Sequence, residues 1–222
     1  MTGIASLNNN LYGVSFETDK FYGLDSVTGK ATAISSVPFY GLPHTSDNAN
    51  LSDIESVGSI MYAISTLGRL YIMSVSTGIV SIIGDTGLSG QIKLASNGTT
   101  LYALDNNEIY TINTSTGANT SVVSINIPQF TPDATSITFV GDTLYVAIGR
   151  LDISPTPAND ALYSLDLDTG NLTRISPSSG YSFSETVLQS MCSIGTTIYA
   201  LQRASNSNSP TKHTQHLSLI HI

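Results

Sequence analysis

Aspartates in Thr-Gly turns are the residues of this 222-residue sequence whose spacing comes nearest to a metal-binding pattern. The segment Asp166-Leu-Asp-Thr-Gly-Asn matches the start of a calcium loop, but it lacks the third acidic ligand and the terminal glutamate. Asp25, Ser74 and Asn113 stand at the place of Asp166 in three related segments. This set predicts a side chain that closes a turn, and no metal site.

Other reactive side chains give no catalytic pattern. His213 and His216 have ligand-like spacing, but they lie in a C-terminal segment of atypical sequence. Cys192 is the one cysteine and lies in the apolar stretch VLQSMCSI, which favours a buried small side chain over a nucleophile. Because no nucleophile with a paired base, phosphate loop or carboxylate pair follows from spacing, the sequence favours a protein that is not an enzyme.

The elements that would position such residues repeat along the chain. Four segments, at 11–29, 61–78, 101–117 and 144–170, each contain an apolar strand, a polar connection, a second apolar strand and a Thr-Gly turn, and IYALQ begins a fifth at 198–202. The second Tyr of each full copy precedes the turn Gly by seven positions. These pairs are Tyr22/Gly29, Tyr71/Gly78, Tyr110/Gly117 and Tyr163/Gly170.

A second fixed offset marks another turn in each copy. Four positions before the first Tyr stands Gly58, Gly98, Gly141 or Gly195, with Asn8 in the first copy. These residue types accept positive φ, so each marks a hairpin turn. Further apolar segments before this turn and after Thr-Gly give four strands, A to D, in each repeat of 40–54 residues. That length predicts an all-β propeller. The four full copies predict four complete four-stranded blades, and the partial fifth copy predicts a half-blade. The blades are expected to form an open arc.

Two other architectures fit the pattern less well. A β-solenoid usually repeats every 20–30 residues, which is shorter than the period here. A sandwich of irregular hairpins would not keep two Tyr and two Gly at fixed offsets. Strands such as LYAL do not strictly alternate apolar and polar residues. That pattern is typical of strands covered on both faces, as in a blade between two others.

Strand direction predicts which side of the molecule would carry a binding site. The A–B and C–D turns share one side, called here the turn face, and the B–C and D–A connections share the other, the loop face. The loop-face connections vary in length, as binding loops on a rigid scaffold do. The candidate ligand-binding residues there are Glu17, Asp19, His44, Asp47, Arg69, Asp85, Arg150, Asp152, Asp160 and Glu185. They suggest an acidic funnel for Ca²⁺ or a cationic ligand, although turns in an acidic protein are commonly acidic.

Composition excludes some classes of partner. The net charge of −8 argues against nucleic acid and against an anionic membrane surface, since both favour a basic face. No apolar run approaches the ~20 residues that cross a bilayer. Charged residues are 11% of the chain, against about 25% in a typical soluble domain. Such a neutral, turn-rich surface favours a secreted or cell-surface protein, although Met1-Thr-Gly begins no signal peptide.

The blade residues resemble those of bacterial secreted or surface propellers with Leu-Tyr-x-Leu-Asp, then Leu-Tyr-x-Ile-Asp and a Thr-Gly turn. The matching residues are 101–105, 162–166 and 169–170, and the likeness covers 3 to about 203. This group is largely uncharacterised, so the resemblance implies the fold and little about function. The chain has no Trp, which separates it from propellers with Trp-Asp blades, quinoprotein dehydrogenases and sialidases.

The expected blades span about 3–38, 53–87, 91–126, 134–177 and 187–203, and 204–222 is expected to be an irregular tail. The closing SLIHI resembles translated sequencing-adapter DNA, which predicts a truncated metagenomic fragment. An open arc would leave two apolar faces open to water, with residues such as Leu11, Val14, Ile198 and Ala200 on them.

The sequence therefore predicts a non-enzymatic binding or structural module of a bacterial surface or secreted protein. Its partner would be a protein, a glycan or a small molecule, and no cofactor is predicted. The alternative is a propeller enzyme of the calcium-dependent lactonase or hydrolase type, with loop carboxylates meeting at the central channel. Convergence of three or four carboxylate oxygens on one point would favour the enzyme.

Overall fold

The computed structural model describes residues 1–15, 18, 20–34, 50–127, 134–149, 161–175, 186–204 and 214–221. Within these ranges every regular element is a β-strand, and the strands are numbered β1 to β19 in chain order. The same residues contain no helix with the length and apolar character needed to cross a membrane.

The strands form five antiparallel sheets, called blades 1 to 5 in chain order. Blade 1 contains β1 (Gly3–Leu7), β2 (Asn10–Ser15), β3 (Lys20–Leu24) and β4 (Ala31–Ala33). Blade 2 contains β5 (Leu51–Val57), β6 (Ile60–Ser65), β7 (Arg69–Met73) and β8 (Val80–Asp85). Blade 3 contains β9 (Lys93–Ser96), β10 (Leu101–Asp105), β11 (Glu108–Ile112) and β12 (Asn119–Ser124).

Blade 4 contains β13 (Ala134–Val140), β14 (Thr143–Ile148), β15 (Ala161–Leu165) and β16 (Leu172–Ile175). Blade 5 contains β17 (Thr186–Ile194), β18 (Thr197–Ala204) and β19 (Thr214–His221). The count of four blades and a two-stranded half-blade is not confirmed, because β19 pairs along the length of β18. This strand lies in the range where an irregular tail is expected from the sequence.

The five blades surround one axis, so the fold is a β-propeller. The first strand of each blade is innermost, and each packs against the first strand of the next blade. The sequence of contacts returns to its start because β17 also packs against β1. The expected open arc is therefore not confirmed, and the described blades form a ring.

Apolar clusters fill the spaces between neighbouring blades. Ile64 and Leu101 belong to the cluster between blades 2 and 3, and Ile4 and Leu201 belong to the cluster between blades 5 and 1. Both faces of a blade are thus covered, as the strand sequences predict. The residues expected to be open to water in an arc are all buried, and they are Leu11, Val14, Ile198 and Ala200.

The turns have the geometry that the fixed Gly and Asn positions predict. Gly58, Gly141 and Gly195 have φ near +60°, and Asn8 takes the same conformation at +52°. The A–B turns therefore need residues that tolerate the left-handed region, which explains why Asn replaces Gly in the first copy. In the C–D turns, the side chain of Asp25, Asn113 or Asp166 accepts hydrogen bonds from two backbone N–H groups farther along its own turn.

The innermost strands have a special hydrogen-bonding problem. Each pairs with a neighbour along one edge only, and the other edge faces the crowded axis. Backbone carbonyls on that edge receive no ladder hydrogen bond, and buried carbonyls without partners are costly.

Hydroxyl groups from neighbouring blades supply the missing bonds. Near the turn face, Ser6 Oγ donates to the carbonyl of Ser193, Ser56 Oγ to that of Ser6, and Ser193 Oγ to that of Phe139, at 2.5–2.7 Å. Near the loop face the same role falls to the side chains of Thr2, Ser52 and Thr135. These six groups are called the inner-strand hydroxyls. The bond from Ser6 to Ser193 joins blade 1 to blade 5.

Replacing an inner-strand hydroxyl should weaken the ring. We expect Ser6→Ala or Ser56→Ala to lower the free energy of unfolding by about 1 kcal/mol, because a carbonyl of the adjacent blade loses its donor. Ser115 is exposed in a C–D turn, and Ser115→Ala should change stability by less than about 0.5 kcal/mol. Urea unfolding of the three variants measures the difference. Equal effects at all three positions would contradict the assigned role.

Candidate functional site at the ring axis

Five residues occupy one equivalent position, near the loop-face end of the five innermost strands. Each pairs with the residue two positions after the first Tyr of its blade, as Asp53 does with Ile64. The set consists of Gly3, Asp53, Lys93, Ser136 and Ser190. All five are buried, so a carboxylate and an ammonium group lie together inside the ring. Buried charges of this kind are unusual and are the candidate functional site.

Asp53 connects blade 2 to three other blades. Its Oδ2 accepts a hydrogen bond from the backbone N–H of Leu94 in blade 3 at 3.0 Å. Its Oδ1 accepts one from Ser190 Oγ in blade 5 at 3.2 Å. Ser190 Oγ in turn accepts the backbone N–H of Ile4 in blade 1 at 3.0 Å. Both N–H groups belong to innermost strands, so Asp53 and Ser190 do for these donors what the inner-strand hydroxyls do for the carbonyls.

Gly3 makes room for the Asp53 carboxylate. A Cβ atom at position 3 would lie 2.3 Å from Asp53 Oδ1 and 2.7 Å from its Cα. Real Cβ atoms do not approach other atoms so closely, and one of the two contacts is with backbone. The missing side chain in blade 1 is therefore what allows Asp53 to extend toward blade 5.

Lys93 is buried in the same layer. Its Nζ donates a hydrogen bond to the carbonyl of Thr2 at 2.9 Å, which links blade 3 to the start of blade 1. Burial lowers the pKa of Lys93, and the negative charge of Asp53 opposes that change. Burial also raises the pKa of Asp53 to about 6, with Lys93 and the hydrogen bonds acting in the opposite direction. Each residue therefore helps the other to remain charged.

The next layer toward the turn face contains Glu55 and Cys192. Burial raises the pKa of Glu55 well above its ordinary range, and the charge of Asp53 adds to the effect. Glu55 accepts a hydrogen bond from the backbone N–H of Ser56 at 2.7 Å. Burial likewise raises the pKa of the Cys192 thiol, so this buried group is held in its weakly nucleophilic form.

The described polar atoms of Asp53, Lys93 and Ser190 are engaged with protein, whereas Ser136 Oγ is buried without a hydrogen-bond partner among the described residues. Both oxygens of Asp53 are hydrogen-bonded, and the Lys93 ammonium would repel a cation. Within the described part of the chain, no group of three or more His, Cys, Asp or Glu side chains is placed to hold a metal ion. The axial side chains can therefore form hydrogen bonds to backbone groups of the innermost strands and can bind or release protons.

Only two of the candidate residues on the loop face can be placed. Arg69 and Asp85 are partners in the pairing of β7 with β8, away from the innermost strands. Asp85 Oδ1 accepts the N–H of Gly87 at 2.8 Å and so closes its own turn. The other candidates lie outside the described residues, and they are Glu17, Asp19, His44, Asp47, Arg150, Asp152, Asp160 and Glu185.

The axial residues were not predicted, although the sequence contains a signal for them. Each lies five positions before the A–B turn residue, which is Gly58 for Asp53 and Gly98 for Lys93. Opposite charges at one repeat position of a strand covered on both faces indicate a buried cluster. That signal was missed because these residues lie in DIESV (53–57) and IKLAS (92–96), which are among the apolar segments that precede the A–B turns.

The similarities to known proteins concern fold. No protein-family model matches the chain, and no curated protein matches its sequence. The chain is similar to a structure of a nidogen/laminin complex, at 14% identity over 100% of this chain and 80% of that one, with a TM-score of 0.56. It is also similar to the PQQ-bound aldose sugar dehydrogenase of Streptomyces coelicolor, at 13% identity, 98% and 93% coverage and a TM-score of 0.55.

A third similar structure is a protein of unknown function from Bacteroides thetaiotaomicron. The identity is 15%, the match covers 91% of this chain and 54% of that one, and the TM-score is 0.57. Identities this low show the propeller fold alone. The three proteins include an enzyme and a protein in a complex, so they do not choose a function for this chain.

The close approach at Gly3 gives a test of the axial packing. Gly3→Ala should destabilise the protein by about 3 kcal/mol, because Asp53 and its backbone must move. Gly23→Ala is the matched control in the same blade, since among the described residues only Ile34 Cδ1 would lie near its Cβ, at 3.7 Å. Thermal or urea unfolding should show no loss for the control. A Gly3→Ala protein as stable as the Gly23→Ala protein would contradict the described packing.

Lys93 provides a test of the axial electrostatics. Lys93→Met keeps an apolar side chain of similar length and removes the ammonium group. The pKa of Asp53 should then rise above about 6, because its largest stabilising charge is gone. NMR titration of the Asp53 carboxyl carbon measures this value. An unchanged or lowered pKa would show that Lys93 does not act on Asp53.

Proposed function

We propose that this propeller is a non-enzymatic binding or structural module of a bacterial surface or secreted protein. The observation that supports it is the use of the buried polar groups on the axis. Asp53, Lys93 and Ser190 bond backbone groups of neighbouring blades or one another, so this layer serves to hold the ring. A rigid ring with loops of unequal length on one face is a common scaffold for binding.

The ligand would bind on the loop face, and its class is a protein, a glycan or a small molecule. Arg69 and Asp85 mark where blade 2 contributes to this face, at the ends of β7 and β8. The sparse charge of the chain supports recognition through hydrogen bonds and apolar contacts more than through a strong electrostatic field. A secreted or surface location agrees with the same composition.

The second candidate is a calcium-dependent lactonase or hydrolase. It depends on carboxylates from several loops, and most of the candidate carboxylates lie outside the described residues. At the described axial layer, the Lys93 ammonium and the engaged oxygens of Asp53 disfavour calcium. This observation supports the binding module over the enzyme.

Calcium dependence separates the two functions. For the binding module, we expect the same free energy of unfolding in millimolar calcium and in EDTA, and no hydrolysis of a panel of lactones. If the protein had a calcium site, a free calcium concentration a hundred times the dissociation constant would instead raise the free energy of unfolding by about 2.7 kcal/mol. Stabilisation of that size together with lactone hydrolysis would contradict the proposal and establish the enzyme.

A further inference from the structure

The Asp53 carboxyl group lies where four blades meet at the axis. It is bonded directly to blades 3 and 5, and through Ser190 to the backbone N–H of Ile4 in blade 1. Gly3 of blade 1 leaves the space that this carboxyl fills. Any separation of blade 1 from blade 5 would break the bond between Ile4 and Ser190 and would admit water to Asp53.

The protonation state of Asp53 decides the direction of these hydrogen bonds. An ionised carboxylate only accepts, so Ser190 must donate to it and keeps its oxygen lone pairs for Ile4. A protonated carboxyl can donate from Oδ1 to Ser190, while Oδ2 still accepts the N–H of Leu94. Both states are therefore compatible with the ring, but they differ in the charge that remains buried.

Among the described residues, few charged or titratable side chains lie around Asp53. Its own strand contributes Glu55, β9 contributes Lys93, and β17 contributes Cys192. At the same levels, β1 presents Gly3 and Ala5, and β13 presents Ser136 and Thr138, none of which carries a charge. Asp53 is thus the carboxyl that meets both the ammonium group and the contact between blades 1 and 5.

We propose that the cluster of Asp53, Lys93 and Ser190 is a pH-sensitive latch that sets how firmly blades 1 and 5 are held together at the axis. Closure is firmer when Asp53 is protonated and looser when it is ionised, because opening the contact returns a buried carboxylate to water. This property of the ring does not depend on which ligand the loop face binds.

The direction in which stability changes with pH follows from the linkage between proton binding and folding. Burial raises the pKa of Asp53 from 3.8 to about 6, so the closed protein binds this proton more tightly than the unfolded chain. Stability from this group is greatest below pH 3.8 and is lost as pH rises through about 6. Burial lowers the pKa of Lys93, so Lys93 contributes the opposite slope between its folded pKa and its ordinary value of 10.5.

Chemical unfolding at pH 4.5 and pH 7.5 tests the latch. From Asp53 alone, the unfolding equilibrium constant should rise on the order of tenfold between these pH values, and Asp53→Asn should remove this rise. The same comparison, with and without Asp53→Asn, is repeated in a protein that carries Glu55→Gln, which removes the titration of the buried Glu55 carboxyl. Asp53→Asn with the same pH dependence as its parent would overturn the proposal.

Asp25→Asn is the matched control. Asp25 closes an exposed C–D turn, and hydrogen bonds from the turn, chiefly from Thr28, lower its pKa. Asn113 fills the equivalent place in blade 3, so an amide is compatible with this turn. A lowered carboxyl pKa makes stability rise with pH, so Asp25 opposes the change that Asp53 causes. The Asp25→Asn variant should therefore show the same rise of the unfolding equilibrium constant between pH 4.5 and pH 7.5 as the unmodified protein, or a larger one. Loss of the effect in Asp25→Asn would overturn the assignment to Asp53.

A second measurement needs no variant. The backbone N–H of Leu94 donates to Asp53 Oδ2 and that of Ile4 to Ser190 Oγ, so both amide NMR signals should shift with a common midpoint near pH 6. Amide exchange at Ile4, corrected for the intrinsic effect of pH, should report more frequent opening at pH 7.5 than at pH 4.5. Signals that do not titrate between these values would overturn the proposal even if Asp53→Asn failed to fold.

Discussion

The inner edges of the five innermost strands impose the constraint on which the rest of the structure depends. A propeller turns one edge of each first strand toward the axis, where no further strand can pair with it. The backbone N–H and C=O groups on that edge are buried, and leaving one without a partner costs about 1–3 kcal/mol. Side chains from adjacent blades must therefore supply these hydrogen bonds.

This constraint accounts for the composition of the innermost strands. Short hydroxyl side chains reach a carbonyl one blade away and occupy little volume, which suits the crowded centre of a small ring. Two backbone N–H groups on the inner edges also have no neighbouring strand to pair with. The side chain of Asp53 accepts the N–H of Leu94, and that of Ser190 accepts the N–H of Ile4. The buried charges at the axis are thus explained by architecture before any catalytic role is considered.

The fold was predictable because its signals are local. The offset between Gly58 and Tyr62, or between Tyr110 and Gly117, depends on one hairpin, and each hairpin recurs with the same turn residues. Asp166 was correctly interpreted as a turn-closing residue for the same reason. Ring closure was not predicted, because it depends on the contact between β1 and β17, whose residues are far apart in sequence.

The axial cluster was missed for a related physical reason. Which charged residues are buried together depends on how five strands meet, and Asp53 and Ser190 are separated by 137 residues. The repeat alignment places both at one position, but alignment alone does not show that this position faces the axis. Sequence reasoning instead favoured charged residues in loops, and most of those lie outside the described part of the chain.

Hydrogen exchange at the Ile4 amide tests the central claim most directly. This N–H lies on the inner edge of β1, and its partner is Ser190 Oγ, 186 positions along the chain in blade 5. If side chains of adjacent blades satisfy the inner edges and close the ring, Ile4 should be protected as strongly as paired amides within β2, and Ser190→Ala should remove that protection. Exchange at Ile4 in the unmodified protein as fast as in the exposed turn at Asn9 would show that the ring is not closed in this way.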